Sequence, residues 1–190
     1  MCMKVLHLGD ERLRQISTPV TEVTDDLRAT IEQMFELMLK SDGVGLAAPQ
    51  VGIMQRFFVL IAEDNVKRVF INPQIIKTST ETGSFEEGCL SIPNQYETIV
   101  RPLQITVQAL NEKGKPFTLE ADGFLARIIQ HEYDHLDGIL YIDRGDPVFK
   151  FKVEKQFAER KEKHLAREKA KIAKATKIAE KKAAKATKKA

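Results

Sequence analysis

The chain has 190 residues, of which 43% are apolar and 30% charged, with two cysteines and a formal net charge of +3. That length suits one domain with an appendage. No apolar run approaches the roughly 20 residues of a membrane span, and two cysteines, one of them Cys2, exclude a disulfide framework.

The first ten residues lack a charged region followed by an apolar block, so a cytoplasmic protein is expected. The charge is split along the chain. Residues 1–149 carry 14 Lys/Arg against 22 Asp/Glu, a net −8, whereas residues 150–190 carry 16 against 5, a net +11. An acidic body with a basic arm that seeks polyanions is the expected organisation.

Thr24, followed by Asp25 and Asp26, predicts a helix N-terminus. Leu27, Ile31, Met34, Phe35 and Met38 recur at helical spacing, and Gly43 is expected to end the helix. Residues 57–61 and 69–71 read as buried strands, the second punctuated by Asn72-Pro73. Ile105, Val107 and Ala109 alternate with Thr106 and Gln108, and a turn at residues 111–114 leads into residues 116–119, which predicts a hairpin. Strands joined by short turns favour antiparallel pairing, and the class is α+β. A further helix is expected from about Asp122, its cap, to Leu136. From about residue 148 onward the chain is a Lys-, Ala- and Glu-rich helix former. Its first turns keep an apolar stripe of Phe149, Val153 and Phe157, expected to dock back onto the body. The word Ala-Lys-Ala-Thr-Lys occurs at 173–177 and again at 184–188, a spacing close to three helical turns.

The chemistry concentrates in His131-Glu132-Tyr133-Asp134-His135. Residues four apart share a helix face, so the two imidazoles can grip one metal ion, and Glu132 is placed to take a proton from a metal-bound water. At about 100° per residue, His131, Glu132 and His135 fall with Phe124, Leu125, Ile128 and Ile129. Arg127, Gln130, Tyr133 and Asp134 fall on the other side. An unpaired Glu on an apolar face is costly, which favours a metal-centred site over two surface histidines. A catalytic metal of this type needs a third protein ligand. The extended metalloprotease pattern would place a His at position 141, where this chain has Tyr141. Glu154 is the nearest downstream carboxylate. Upstream, Glu87-Gly88-Cys89-Leu90-Ser91 offers a thiolate in a loop-like stretch. In residues 43–50, Gly-Val-Gly-Leu-Ala-Ala-Pro-Gln, small residues allow close backbone approach, and Gln50 can donate to a developing oxyanion.

In this order, the Gly-x-Gly-Leu-Ala-Ala-x-Gln segment, the Glu-Gly-Cys-Leu-Ser segment and the Gln-His-Glu-x-Asp-His-Leu-x-Gly helix at 130–138 closely resemble peptide deformylases. The resemblance implies removal of the formyl group from the formyl-methionine of new polypeptides, with release of formate. It implies an α+β fold in which antiparallel strands pack around a central metal-binding helix, followed by a C-terminal helix that extends into the basic tail. Residues 1–150 would be the catalytic domain and 151–190 the tail. Cys89, His131 and His135 would hold the metal, ferrous iron by family likeness, with zinc, nickel or cobalt as substitutes. Glu132 would be general base and then acid. Gln50 and the Leu90 backbone N–H would stabilise the oxyanion. Val44, Phe124 and Ile128 are expected to form the methionine slot, and Gly45 to offer backbone hydrogen bonds to the peptide. Arg101 is expected to pair with an acid such as Glu87 rather than to anchor substrate. The basic tail would dock on the ribosome surface through RNA phosphates. No membrane partner is expected. The rival readings are a metallopeptidase with Glu154 as third ligand and an RNA-binding module with a decayed site.

Overall fold

The computed structural model describes the backbone of residues 3–187 and the side chains of these except 164 and 173–187. Cys2 and the end of the second Ala-Lys-Ala-Thr-Lys word lie outside the described residues, and both words lie outside the described side chains. Among the described residues, seven strands and three α-helices follow one another: α1 (Asp25–Lys40), β1 (Gly45–Ala47), β2 (Phe57–Ile61), β3 (Lys67–Thr78), β4 (Thr82–Cys89), β5 (Ile92–Pro102), β6 (Gln104–Leu110), β7 (Pro116–Asp122), α2 (Gly123–Leu136) and α3 (Pro147–Thr187). The strands form an antiparallel five-stranded sheet in the order β1-β2-β3-β6-β7 and a separate β4-β5 hairpin.

Strand β2 shows why its sequence is apolar without interruption. Successive side chains point to opposite faces of a sheet. Phe57 and Val59 join the cluster built on α1, with Ile31, Met34, Phe35 and Met38. Phe58 and Leu60 join the cluster on the other face, with Ala126 and Ile129 of α2. Both faces are covered, so no position is left for a polar residue. The sheet thus gives α2 a bed of buried side chains, the large apolar ones each contributing about 1.5–3 kcal/mol of transfer energy.

Helix α1 begins as its sequence implies, with Thr24 Oγ1 accepting from Leu27 N–H at 3.2 Å. Its end differs in detail. Asp42, with φ of 54°, takes the left-handed position, and the N–H groups of Asp42 and Gly43 return to the carbonyls of Leu39 and Met38, the Schellman pattern. Gly43 is needed for another reason: a Cβ there would lie 2.7 Å from Leu90 Cδ1.

Three other expectations need correction. Strand β3 does not stop at Asn72-Pro73; it bulges there, and Asn72, at φ 50°, turns its amide to exchange two 2.8 Å hydrogen bonds with the Val20 backbone. Asp122 does hold the N-cap position of α2, but its side chain makes no capping bond. Most of the residues placed opposite the metal-binding face of α2 are themselves buried: Arg127, Gln130 and Asp134 are each under 9% exposed. They are buried because they enter a polar network, not a hydrocarbon core.

Contacts divide the chain into Met1–Phe151 and Lys152–Ala190. Within α3, Val153 and Phe157 are buried, whereas Val148 and Phe151 are exposed. No helix among the described residues is long and apolar enough to cross a membrane.

Candidate metal centre

Helix α2 and the end of strand β4 bring together Cys89, His131 and His135. Among the described residues these form a group whose ligand atoms all lie within 4.8 Å of one another. Cys89 Sγ is 3.3 Å from His135 Nε2, and the two imidazole centroids are 5.2 Å apart. The Glu-Gly-Cys stretch is strand rather than loop, with Glu87 opposite Glu97 and Gly88 opposite Tyr96 of β5. The hairpin register breaks between Gly88 and Cys89. Cys89 reaches the ligand cluster, and Glu87 Oε2 reaches His131 Nδ1 at 2.9 Å. A carboxylate on the far ring nitrogen fixes the tautomer and leaves Nε2 for an ion.

Glu87 was legible only as a partner for Arg101, and that pairing is present: Arg101 Nε and Nη2 donate to its two oxygens at 2.7 and 2.9 Å. Its hold on His131 would have followed had residues 82–89 been read as a strand. Burial alone would raise the Glu87 carboxyl, but the bonds from His131 and Arg101 outweigh it and hold the group well below the usual carboxylate range. His131 is raised well above its ordinary value; burial opposes this, and Cys89 and Glu87 overcome it. His135 is pushed well below by burial and by the charge of His131.

Glu132 is 4% exposed and its Oε2 has no hydrogen-bond partner. Burial lifts its carboxyl to about 7, so it can take or give a proton near neutral pH. Its room comes from Gly45, where an added Cβ would lie 2.8 Å from Glu132 Cδ. Gln50 is equally fixed. Its Oε1 accepts from Ala47 N–H at 2.8 Å, which turns Nε2 toward Cys89 Sγ at 3.4 Å and Ser91 Oγ at 3.2 Å. The orphaned Glu132 oxygen and the thiolate–imidazole donor set both fit a late first-row divalent ion.

A cleft of about 550 Å³ opens onto this cluster. Val44, Gly45, Phe124 and Ile128 line it, as do Gln50, Cys89, Leu90, His131 and Glu132. Val44 is 43% exposed at the rim, whereas Ile128 is buried. His135 sits behind the lining. Tyr141, at the position that would carry a third histidine in the extended protease pattern, stacks on the His131 ring at 6.0 Å and donates to Gln95 O. It braces a ligand instead of being one.

The family model described as polypeptide deformylase matches residues 2–150. A peptide deformylase of Treponema pallidum is 56% identical over 144 residues, which cover 76% of this chain and 88% of that protein. The crystal structure of peptide deformylase from Thermotoga maritima superposes with a TM-score of 0.75 at 46% identity, covering 77% of this chain and 99% of that one. The Synechococcus elongatus enzyme in complex with actinonin gives 0.77 at 42%, covering 81% and 85%.

Proposed function

The chain belongs to the peptide deformylase family, and from that premise we propose how its own residues carry out the family's reaction. It is a metal-dependent hydrolase that removes the N-terminal formyl group from new polypeptides. The observation that carries the assignment of roles is the meeting of three ligand atoms with a buried carboxyl, one of whose oxygens has no partner, in one cleft.

Cys89, His131 and His135 hold the ion. We take ferrous iron as the resident metal on family likeness, with zinc, nickel or cobalt able to replace it. When bound, such an ion supplies Lewis acidity and makes hydroxide accessible near neutral pH. Val44, Phe124 and Ile128 receive the methionine side chain, and the Gly45 backbone meets the peptide. Glu132 accepts the proton of the attacking water and returns it to the departing α-amine. As negative charge develops on the formyl oxygen, Gln50 Nε2 and the Leu90 N–H donate to it. Gln50 suits this task because its carbonyl end is tied to Ala47, so the donor needs no reorganisation. Gln50→Ala is expected to lower kcat about 10²–10³-fold with metal content unchanged. Turnover equal to wild type in steady-state kinetics would remove Gln50 from the mechanism.

Residues 1–150 form the catalytic domain and 151–190 an arm that delivers it. The net charge of +11 over residues 150–190 and the helical backbone to Thr187 support docking on ribosomal RNA through phosphate contacts in the cytoplasm. Deleting residues 158–190 is expected to abolish salt-sensitive co-sedimentation with ribosomes and to leave kcat on short formyl-peptides intact. Equal co-sedimentation of the truncated chain would end the proposed role of the arm. Against the peptidase reading, Cys89 supplies the third ligand atom that it sought from Glu154. Intact ligands and a buried general base speak against a decayed site.

A further inference from the structure

We propose that Arg144, on the turn after α2, is a positioning residue for the metal centre: acting through Asp134, Arg101 and Glu87, it fixes the direction in which His131 points at the ion. The inference rests on the metal-centre reading above.

The chain of contacts is continuous. His131 Nδ1 meets Glu87 Oε2 at 2.9 Å. Glu87 is held by Arg101 Nε and Nη2 at 2.7 and 2.9 Å. The remaining arm of the same guanidinium, Nη1, donates to Asp134 Oδ2 at 2.7 Å. Arg144 closes the outer end, with Nε 2.5 Å from Asp134 Oδ2 and Nη2 paired with Oδ1. Glu87, Arg101 and Asp134 have side chains 3%, 3% and 6% exposed, whereas that of Arg144 is 42% exposed.

The geometry makes Arg101 a divided resource. One rigid, planar group serves two buried carboxylates, and a buried carboxylate keeps its charge only while its oxygens are satisfied. Arg144 supplies two of the three bonds that Asp134 receives. Without it, Asp134 Oδ1 loses its partner, and Arg101 is the other cation already bonded to this carboxylate. Turning Arg101 toward Asp134 withdraws Nε or Nη2 from Glu87, leaving it one Arg101 bond beside the 3.1 Å bond from Arg127 and the contact with His131. Glu87 sets the tautomer and tilt of His131, so the disturbance arrives at a ligand. Arg144 itself lies at the surface, so removing it opens no core cavity. The sequence alone could not show this link, because Asp134 falls on the helix side away from the ligands.

The test loads wild type, R144A, R144K and the remote control R68A with Co2+. It follows the visible spectrum, the rate of cobalt transfer to a chelator at 25 °C, and the melting curve. R144A is expected to release cobalt about tenfold faster, the lower end of what outer partners of metal ligands cost, with a changed absorption band. R144K keeps the charge but reaches one oxygen at a time, and should recover most of the difference. R68A, which loses a pair with Asp64 and a bond to Val66 O far from this network in sequence, should match wild type. Wild-type release from R144A overturns the inference. So does equal acceleration in R144A, R144K and R68A that follows melting temperature alone. A wild-type chain that takes up no cobalt overturns the metal-centre reading itself, and this inference with it.

Discussion

Glu132→Gln is expected to lower kcat by about 10²–10⁴-fold, the range for loss of a general acid–base group, while the variant still binds its metal. The same substitution is expected to stabilise the metal-free protein. Glu132 is lifted by burial from an ordinary 4.5 to about 7. A carboxyl whose folded value is raised costs no stability below its unfolded value. The cost grows between about 4.5 and 7 and is complete above that. At roughly 1.4 kcal/mol per unit, the full cost is on the order of 3 kcal/mol. Glutamine cannot ionise, so melting curves of the metal-free variant and wild type should coincide near pH 4 and separate by several degrees at pH 8, the variant higher. Unchanged turnover would remove Glu132 as the proton carrier. A pH-independent difference in melting would show that its carboxyl is not held up by burial.

Cys89→Ala is expected to weaken metal binding by more than about 100-fold, since even partners outside the ligand set cost 10–100-fold, and to reduce deformylation to background. The change is small in volume and falls at the end of a strand, so the fold should persist by circular dichroism. Metal content after desalting checks the first claim. A variant that kept a full complement would move the third ligand elsewhere and revive the peptidase arrangement with Glu154.

The ligand helix was legible in the sequence because two histidines and a Glu share one face of a regular helix, and helical spacing is read directly from residue numbers. Cys89 was legible as a candidate by its chemistry and by resemblance. Its setting was not: residues 82–102 form a hairpin, and Glu-Gly-Cys suggested a loop because glycine interrupts any strand pattern. Gly88 is there because a Cβ would lie 2.7 Å from the Tyr96 ring, a contact made only across the folded hairpin. The bulge at Asn72 escaped for a similar reason. Asn-Pro announces a break in the chain, and the two bonds to Val20 that let the strand continue span 52 positions. The burial of Arg127 and Asp134 contradicts the usual exposure of charged side chains. It becomes intelligible only once Glu87, Arg101 and Arg144 are seen around them. Local pattern thus pointed to the candidate ligands, and long-range ion pairs supply the frame around them.

The most direct test of the account is formate release from formyl-Met-Ala-Ser by the chain purified without oxygen, assayed as isolated, after removal of its metal, and after metal is restored. The account predicts stoichiometric formate and free Met-Ala-Ser, loss of turnover on stripping, and recovery when ferrous iron or cobalt is returned. Cleavage of the Met-Ala bond instead, or undiminished formate release from the stripped protein, would contradict it.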